Sequence, residues 1–225
     1  MFSIYANWKS HKNVREARTW YYALREQLSP QSSASLHKGL MQIVIFPPAP
    51  LLYSLHTLCL ESEGILVGIQ DISPLGEGKY TGLINASSAE GIASHVIVGH
   101  VEERQRGDTQ SIVHQKYDEA LKHNLHPVLC ITHKNQYIHG AQTVAYEPAT
   151  AIGSGDNASP DDVVRFRESL QTRPENFVYG GSVSAQNCEE YLKPRICDGF
   201  LVGTMSLTIS DFVSLVNTSV SYVEV

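Results

Sequence analysis

Eight short runs of apolar and β-branched residues recur along this 225-residue chain, at about 2–7, 41–46, 65–70, 95–99, 126–131, 143–147, 177–180 and 198–202. Several are unbroken, such as Gln42-Ile43-Val44-Ile45-Phe46 and His95-Val96-Ile97-Val98-Gly99. A strand with one face in water alternates apolar with polar residues; a parallel strand covered on both faces reads as a continuous apolar stretch. Helical patterns fill most of the gaps. Asn13-Val14-Arg15-Glu16 reads as a capping box, with Val14, Ala17, Tyr21, Leu24 and Leu28 on one stripe. Ser159-Pro160-Asp161-Asp162 places an N-cap, a proline and two acids at the start of another helix. The last helix, around 211–220, presents Phe212, Leu215 and Val216 for burial. Between the fifth and sixth strands, Thr132 to Gln142 is too short for a full helix, so that crossover is pared to a turn.

Eight strands alternating with helices in a chain of this length predict an α/β fold, a (β/α)8 barrel with a shortened crossover between strands five and six. A doubly wound sheet is the alternative. It usually carries a glycine-rich turn after its first strand, and here that turn, Asn7-Trp8-Lys9-Ser10-His11-Lys12, has no glycine. No linker or low-complexity tract interrupts residues 1–225, which read as a single barrel domain.

Composition narrows the function classes. A net charge of −6 argues against a nucleic-acid or anionic-membrane surface, so an anionic substrate has to be held locally by backbone N–H groups and a few cations. No apolar run approaches the roughly 18–20 residues of a membrane span. The N-terminus, Met1-Phe2-Ser3-Ile4-Tyr5, has no basic region or cleavage site, and cytoplasm is the expected location. Cys59, Cys130, Cys188 and Cys197 lack CxxC spacing and read as scattered buried thiols, not as a metal site. Neither a metal nor a cofactor is expected.

In such a barrel the chemistry lies at the C-terminal ends of the strands. Those ends offer Asn7 and Lys9 after strand one, His100 after strand four and Glu147 after strand six. Strands seven and eight end in Gly180-Gly181-Ser182 and Gly203-Thr204. Each signal has a plain structural reading, since a lysine after a strand is usually solvated and Glu147 before Pro148 could merely cap a turn. Their convergence on one mouth gives them weight. A carboxylate at a strand tip backed by a glycine-bearing loop suits general-base proton abstraction. An imidazole preceding Val101-Glu102-Glu103-Arg104, a short helical turn, lies near helix N–H groups, which favours the neutral ring. Lys9 supplies positive charge for a developing enediolate or a phosphate. The turns after strands seven and eight match the usual phosphate site of this architecture. Base, electrophile and phosphate clamp together suggest proton transfer next to the carbonyl of a small phosphorylated sugar.

At these residues the chain resembles the triosephosphate isomerase family. The matching motifs are Asn7-Trp8-Lys9, Val98-Gly99-His100 with Glu102 and Arg104, and Tyr146-Glu147-Pro148 with Ala151-Ile152-Gly153-Ser154-Gly155. Tyr179-Gly180-Gly181-Ser182-Val183 and Asp198-Gly199-Phe200-Leu201-Val202-Gly203 follow in the family order. The resemblance implies a TIM-barrel isomerase of glycolysis and gluconeogenesis that interconverts dihydroxyacetone phosphate and D-glyceraldehyde 3-phosphate. It makes Glu147 the base, His100 the polarising proton shuttle, and Lys9 the stabilising cation, with Asn7 orienting it. Backbone N–H groups of Gly153, Ser182, Gly203 and Thr204 would hold the phosphate, and residues 148–158 would form a closing lid. Glu102 would partner Lys9. Gly78-Lys79-Tyr80-Thr81-Gly82 resembles the interface loop, which implies a homodimer with Thr81 reaching the neighbouring subunit.

The chain also departs from the family pattern. Val101 stands where serine contacts the base, and Glu103 replaces a basic residue. The lid hinges carry Thr150 and Asp156-Asn157, the second glycine of the strand-eight pair is Thr204, and Leu83 replaces an acid of the interface loop. These differences motivate two alternatives: an isomerase of a related sugar phosphate such as a tetrulose phosphate, and a non-catalytic barrel that binds phosphosugars.

Overall fold

The computed structural model describes residues 1–148, 157–192 and 196–223. Its strands are β1 (Phe2–Asn7), β2 (Met41–Phe46), β3 (Ile65–Ile69), β4 (His95–Val98), β5 (His126–Ile131), β6 (Thr143–Tyr146), β7 (Asn176–Tyr179) and β8 (Gly199–Val202). They pair in parallel in chain order, and β1 also pairs with β8, Ser3 opposite Gly199 and Ala6 opposite Val202. The sheet closes on itself. This is the expected (β/α)8 barrel, and the doubly wound alternative, which leaves two open edges, is ruled out.

Closure explains why the strands read as unbroken apolar runs: both faces are buried. Along β1, Phe2, Ile4 and Ala6 turn outward to the helices, while Tyr5 turns inward. The barrel interior is filled by Tyr5, Val44, Phe46, Ile97, Val128, Cys130, Ala145, Val178 and Leu201. Glycine is required where strands and rings approach most closely. A Cβ on Gly199 would lie 2.2 Å from the Ser3 carbonyl oxygen, and one on Gly68 2.3 Å from the Phe46 ring.

The outer layer comprises α1 (Val14–Gln27), α2 (Pro30–His37), α3 (Leu52–Cys59), α4 (Val101–Arg106), α5 (Gln110–Lys122), α6 (Pro160–Glu168), α7 (Cys188–Leu192) and α8 (Ile209–Val220). The capping box is present: the Asn13 side chain accepts the Glu16 N–H at 3.1 Å, and the Glu16 carboxylate accepts the Asn13 N–H at 2.9 Å. Ala17, Tyr21 and Leu24 are buried as expected, joined by Trp20. Val14 is 48% exposed, contrary to expectation, because the first residue of α1 lies ahead of the face that packs on the barrel. Ser159 caps α6 through the Asp162 N–H, with Pro160 at its first position. The fifth crossover contains a single 3-10 turn, Lys134–Gln136. Among the described residues, no helix is long and apolar enough to cross a membrane, and all four cysteines are buried, unpaired thiols.

After β3 the chain makes a long excursion, tied at its base where Ser73 N–H donates to the Ile84 carbonyl at 2.7 Å. Leu75, Tyr80 and Leu83 stand exposed on it, and Thr81 lies at its exposed tip. The root of the excursion is braced by a buried cation. Lys116 of α5 donates to both oxygens of Asp71, at 2.7 and 2.8 Å, and to Asp108 at 2.8 Å.

Candidate active site

At the C-terminal mouth of the barrel lies a cleft of about 330 Å³. Asn7, Lys9, His100, Glu147, Ser182, Gly203 and Thr204 all line it, together with Gly180, Gly181 and Leu201. The residues singled out from the strand ends thus converge on one space. Gly153, Thr150 and Asp156 lie outside the described residues; Asn157 is exposed, and Thr81 does not line the cleft of its own chain.

Lys9 sits on a turn that would not form without help. Its φ is +49°, in the left-handed region that costs a non-glycine residue roughly 1 kcal/mol or more. The Asn7 side chain compensates by accepting the Lys9 N–H at 3.0 Å, and Gln70 Nε2 donates to the Lys9 carbonyl at 2.8 Å. The same Gln70 nitrogen donates to the Phe46 carbonyl at 2.8 Å, tying the turn to the end of β2. Lys9 Nζ then donates to Glu102 Oε1 at 2.8 Å. Burial pushes Glu102 up, but Lys9 more than offsets this and holds the carboxylate below its usual value. Gly203 leaves room for the lysine stem, since a Cβ there would lie 3.3 Å from Lys9 Cε.

His100 follows β4 through Gly99, whose φ of +73° turns the chain sharply. Arg104 fixes that turn by donating from Nε to the Gly99 carbonyl at 2.7 Å and from a terminal nitrogen to the Cys130 carbonyl at 3.3 Å. His100 is the N-cap of α4, and its Nδ1 accepts the Glu102 N–H at 3.2 Å. A ring nitrogen that accepts a hydrogen bond carries no proton, so the first proton of the ring is on Nε2. Nε2 points at Glu147 Oε1, 3.0 Å away.

Glu147 continues β6 by one ladder bond, its N–H donating to the Ile131 carbonyl at 2.9 Å. Its side chain is only 3% exposed as part of the whole residue, and its second oxygen accepts the Val101 N–H at 3.2 Å. The base candidate is therefore gripped by an imidazole and a backbone amide. Gly180 lies beneath it, where a Cβ would come within 3.1 Å of Glu147 Cγ.

In the unliganded cleft a second charge acts on His100. Burial lowers its pKa, but the Glu147 carboxylate outweighs burial and raises it above the ordinary value. The α4 amide fixes the tautomer; the neighbouring carboxylate sets the charge preference. Cys130, fully buried near Glu147, is pushed well above the usual thiol range by burial and by that same carboxylate, so it is an inert neutral wall.

Some of these participants were invisible to motif reasoning. Gln70 was read only as the end of a strand, and Val101 contributes through its main chain, which its side-chain type does not advertise. Arg104 belongs to the motif, but its spacing does not announce its role as a loop brace. Across the mouth, the Gly203-Thr204 end opens a 3-10 turn over Thr204–Ser206, whose first amides have no partner within the turn.

Residues 2–143 and 133–219 match the family model described as triosephosphate isomerase. Curated relatives bear the same name. The one from Thermus thermophilus is 30% identical over 250 residues, covering 94% of this chain and 96% of the relative. That from Aquifex aeolicus is 29% identical over 248 residues, covering 95% and 97%. A Synechococcus relative is 33% identical over 245 residues, covering 95% of each.

Proposed function

The chain belongs to the triosephosphate isomerase family, and from that premise we propose that it interconverts dihydroxyacetone phosphate and D-glyceraldehyde 3-phosphate with Glu147 as general base. The observation that carries this assignment is the pairing of Glu147 with His100 Nε2 at 3.0 Å inside the cleft that Lys9 also lines. Glu147 takes a proton from the carbon beside the carbonyl and returns it to the neighbouring carbon. A positioned base of this kind contributes roughly 10²–10⁴-fold. His100 donates from Nε2 to the substrate oxygen and moves protons between the two oxygens.

Substrate binding resolves the charge state of the ring. A substrate oxygen that takes the place of Glu147 beside Nε2 removes the largest influence that raises the pKa, leaving burial as the largest of those that remain, and burial lowers it. The ring is then neutral when it polarises the carbonyl. Lys9, already fixed by Glu102 and Asn7, supplies preorganised positive charge to the enediolate and the phosphate. Main-chain amides of Ser182, Gly203 and Thr204, with Gly153, hold the phosphate. Residues 148–158 close over the substrate and exclude water.

The protein acts as one barrel domain in the cytoplasm and pairs as a homodimer through the excursion that bears Thr81. Its exposed Leu75, Tyr80 and Leu83 supply apolar surface for that contact. The four-carbon and non-catalytic alternatives are not favoured: Lys9, His100 and Glu147 all face one cleft, and the relatives carry the triose phosphate name. A coupled assay with each triose phosphate tests the proposal, run beside a sizing column. Turnover in both directions by a dimer is expected; folded protein that converts neither substrate refutes it.

A further inference from the structure

Tyr191 has no part in the chemistry above, yet its environment is unusually specific. Tyr179, the last residue of β7, and Tyr191 of α7 are 0% and 1% exposed, and their rings stack with centroids 4.5 Å apart. The Ala158 N–H donates to the Tyr179 hydroxyl at 3.1 Å. The Tyr191 hydroxyl donates to the Ala158 carbonyl at 2.8 Å. Burial raises the pKa of both phenols, so both hydroxyls keep their protons. The two hydroxyls thus hold both main-chain polar groups of Ala158, Tyr179 accepting its N–H and Tyr191 donating to its carbonyl.

Both sides of this contact matter. Ala158 precedes Ser159, the N-cap of α6, and stands at the second end of the 148–158 segment. The tip of the Tyr179 phenol abuts Gly181 in the cleft wall, where a Cβ would be 2.2 Å from its hydroxyl oxygen. The helix that carries Tyr191 is also tied to that wall, because Asn187 Nδ2 donates to the Ser182 carbonyl at 3.0 Å. One small helix therefore connects the end of the segment to the Gly181-Ser182 turn.

We propose that Tyr191 is a positioning residue for the isomerisation: with Tyr179 it clamps both main-chain polar groups of Ala158 and sets that end of the 148–158 segment relative to the phosphate-holding turn. The proposal rests on the reading of the cleft as a triose phosphate site. It concerns Tyr191 specifically, whose hydroxyl supplies the carbonyl half of the clamp. A hydroxyl that merely satisfied a turn carbonyl would affect stability alone.

Tyr191→Phe keeps the stacked ring and removes only the hydroxyl. Its kcat/KM for either triose phosphate should fall about three- to tenfold, the range expected for one net hydrogen bond. The affinity for phosphoglycolate, which mimics the enediolate, should fall by a similar factor. Affinity for inorganic phosphate, which needs the turn alone, should stay within about twofold. Tyr179→Phe should show the same split, and the double variant should lose less than the product of the two single losses, because both hydroxyls serve one clamp. Wild-type kcat/KM and an unchanged phosphoglycolate-to-phosphate ratio in Tyr191→Phe would overturn the proposal, whatever the melting temperature does. Fully multiplicative losses would overturn the shared clamp. A wild type that turns over neither triose phosphate would instead sink the underlying reading of the site.

Discussion

Replacing Lys116 by Met would remove the cation that bridges Asp71 and Asp108. The lysine is 4% exposed and makes three short hydrogen bonds to the two carboxylates. Methionine fills similar space without charge, leaving the two acids without the cation that bridges them. Breaking a buried ion pair costs about 3–5 kcal/mol. The Asp71 side chain is 33% exposed, so solvent screens part of this, and about 3 kcal/mol is the appropriate expectation at pH 8. For a chain of this size that lowers Tm by roughly 6–12 °C.

The pH dependence follows from Asp71. Burial pushes its pKa up to about 6, and Lys116 pulls against that rise. An acid raised above its unfolded value of about 3.9 binds protons better in the folded state. Its stabilising contribution is therefore complete below the unfolded value and is lost as pH rises through about 6. Removing Lys116 enlarges the rise, so the deficit of the variant should be small at pH 5 and largest at pH 8. Urea unfolding at both values, with protein concentration fixed, reads this directly. Adding Asp71→Asn should recover about half of the loss. A deficit below about 1 kcal/mol at pH 8, or an equal deficit at both pH values, would refute the account of Lys116 as a buried counter-ion.

Two further predictions concern the grip on Glu147. Val101 is the first residue of α4, where proline is tolerated, and His100 before it has φ −51° and ψ 144°, which suits a residue preceding proline. Val101→Pro therefore removes the amide that Glu147 accepts while sparing the helix. Its kcat/KM should fall about tenfold or more with unfolding stability within about 1 kcal/mol of wild type; unchanged kinetics would show that the amide does not position the base. The raised pKa of His100 has its own signature. Such a group stabilises the fold fully below its unfolded value of about 6.5 and ceases to do so as pH rises through the folded value. Glu147→Gln removes the cause, so its stability deficit relative to wild type should shrink from pH 6 to pH 9. A deficit constant over that range counts against the pairing.

The barrel was legible in the sequence because parallel strands covered on both faces must be continuously apolar, and because caps such as Asn13 and Ser159 act through their own side chains. The strand-end residues were legible for a related reason: Lys9, His100 and Glu147 are chemically conspicuous, and barrel closure brings strand ends together. What stayed hidden depends on geometry that composition does not encode. Val101 acts through its backbone, Gln70 through two carbonyls brought near each other only by folding, and Tyr191 through a carbonyl thirty-three positions away. The contact of His100 with Glu147 was likewise hidden, because that carboxylate comes from another strand.

The central claim is that Glu147 transfers a proton to and from substrate carbon. Turning over dihydroxyacetone phosphate in D2O, with wild type and Glu147→Gln compared by NMR, tests it most directly. A carboxylate that has taken a proton can exchange it with solvent before returning it, so the wild-type glyceraldehyde 3-phosphate should carry deuterium at C2. Glu147→Gln should form that product at least about 10²-fold more slowly while still binding phosphoglycolate. A Gln variant that turns over at the wild-type rate would contradict the assignment of Glu147 as the base.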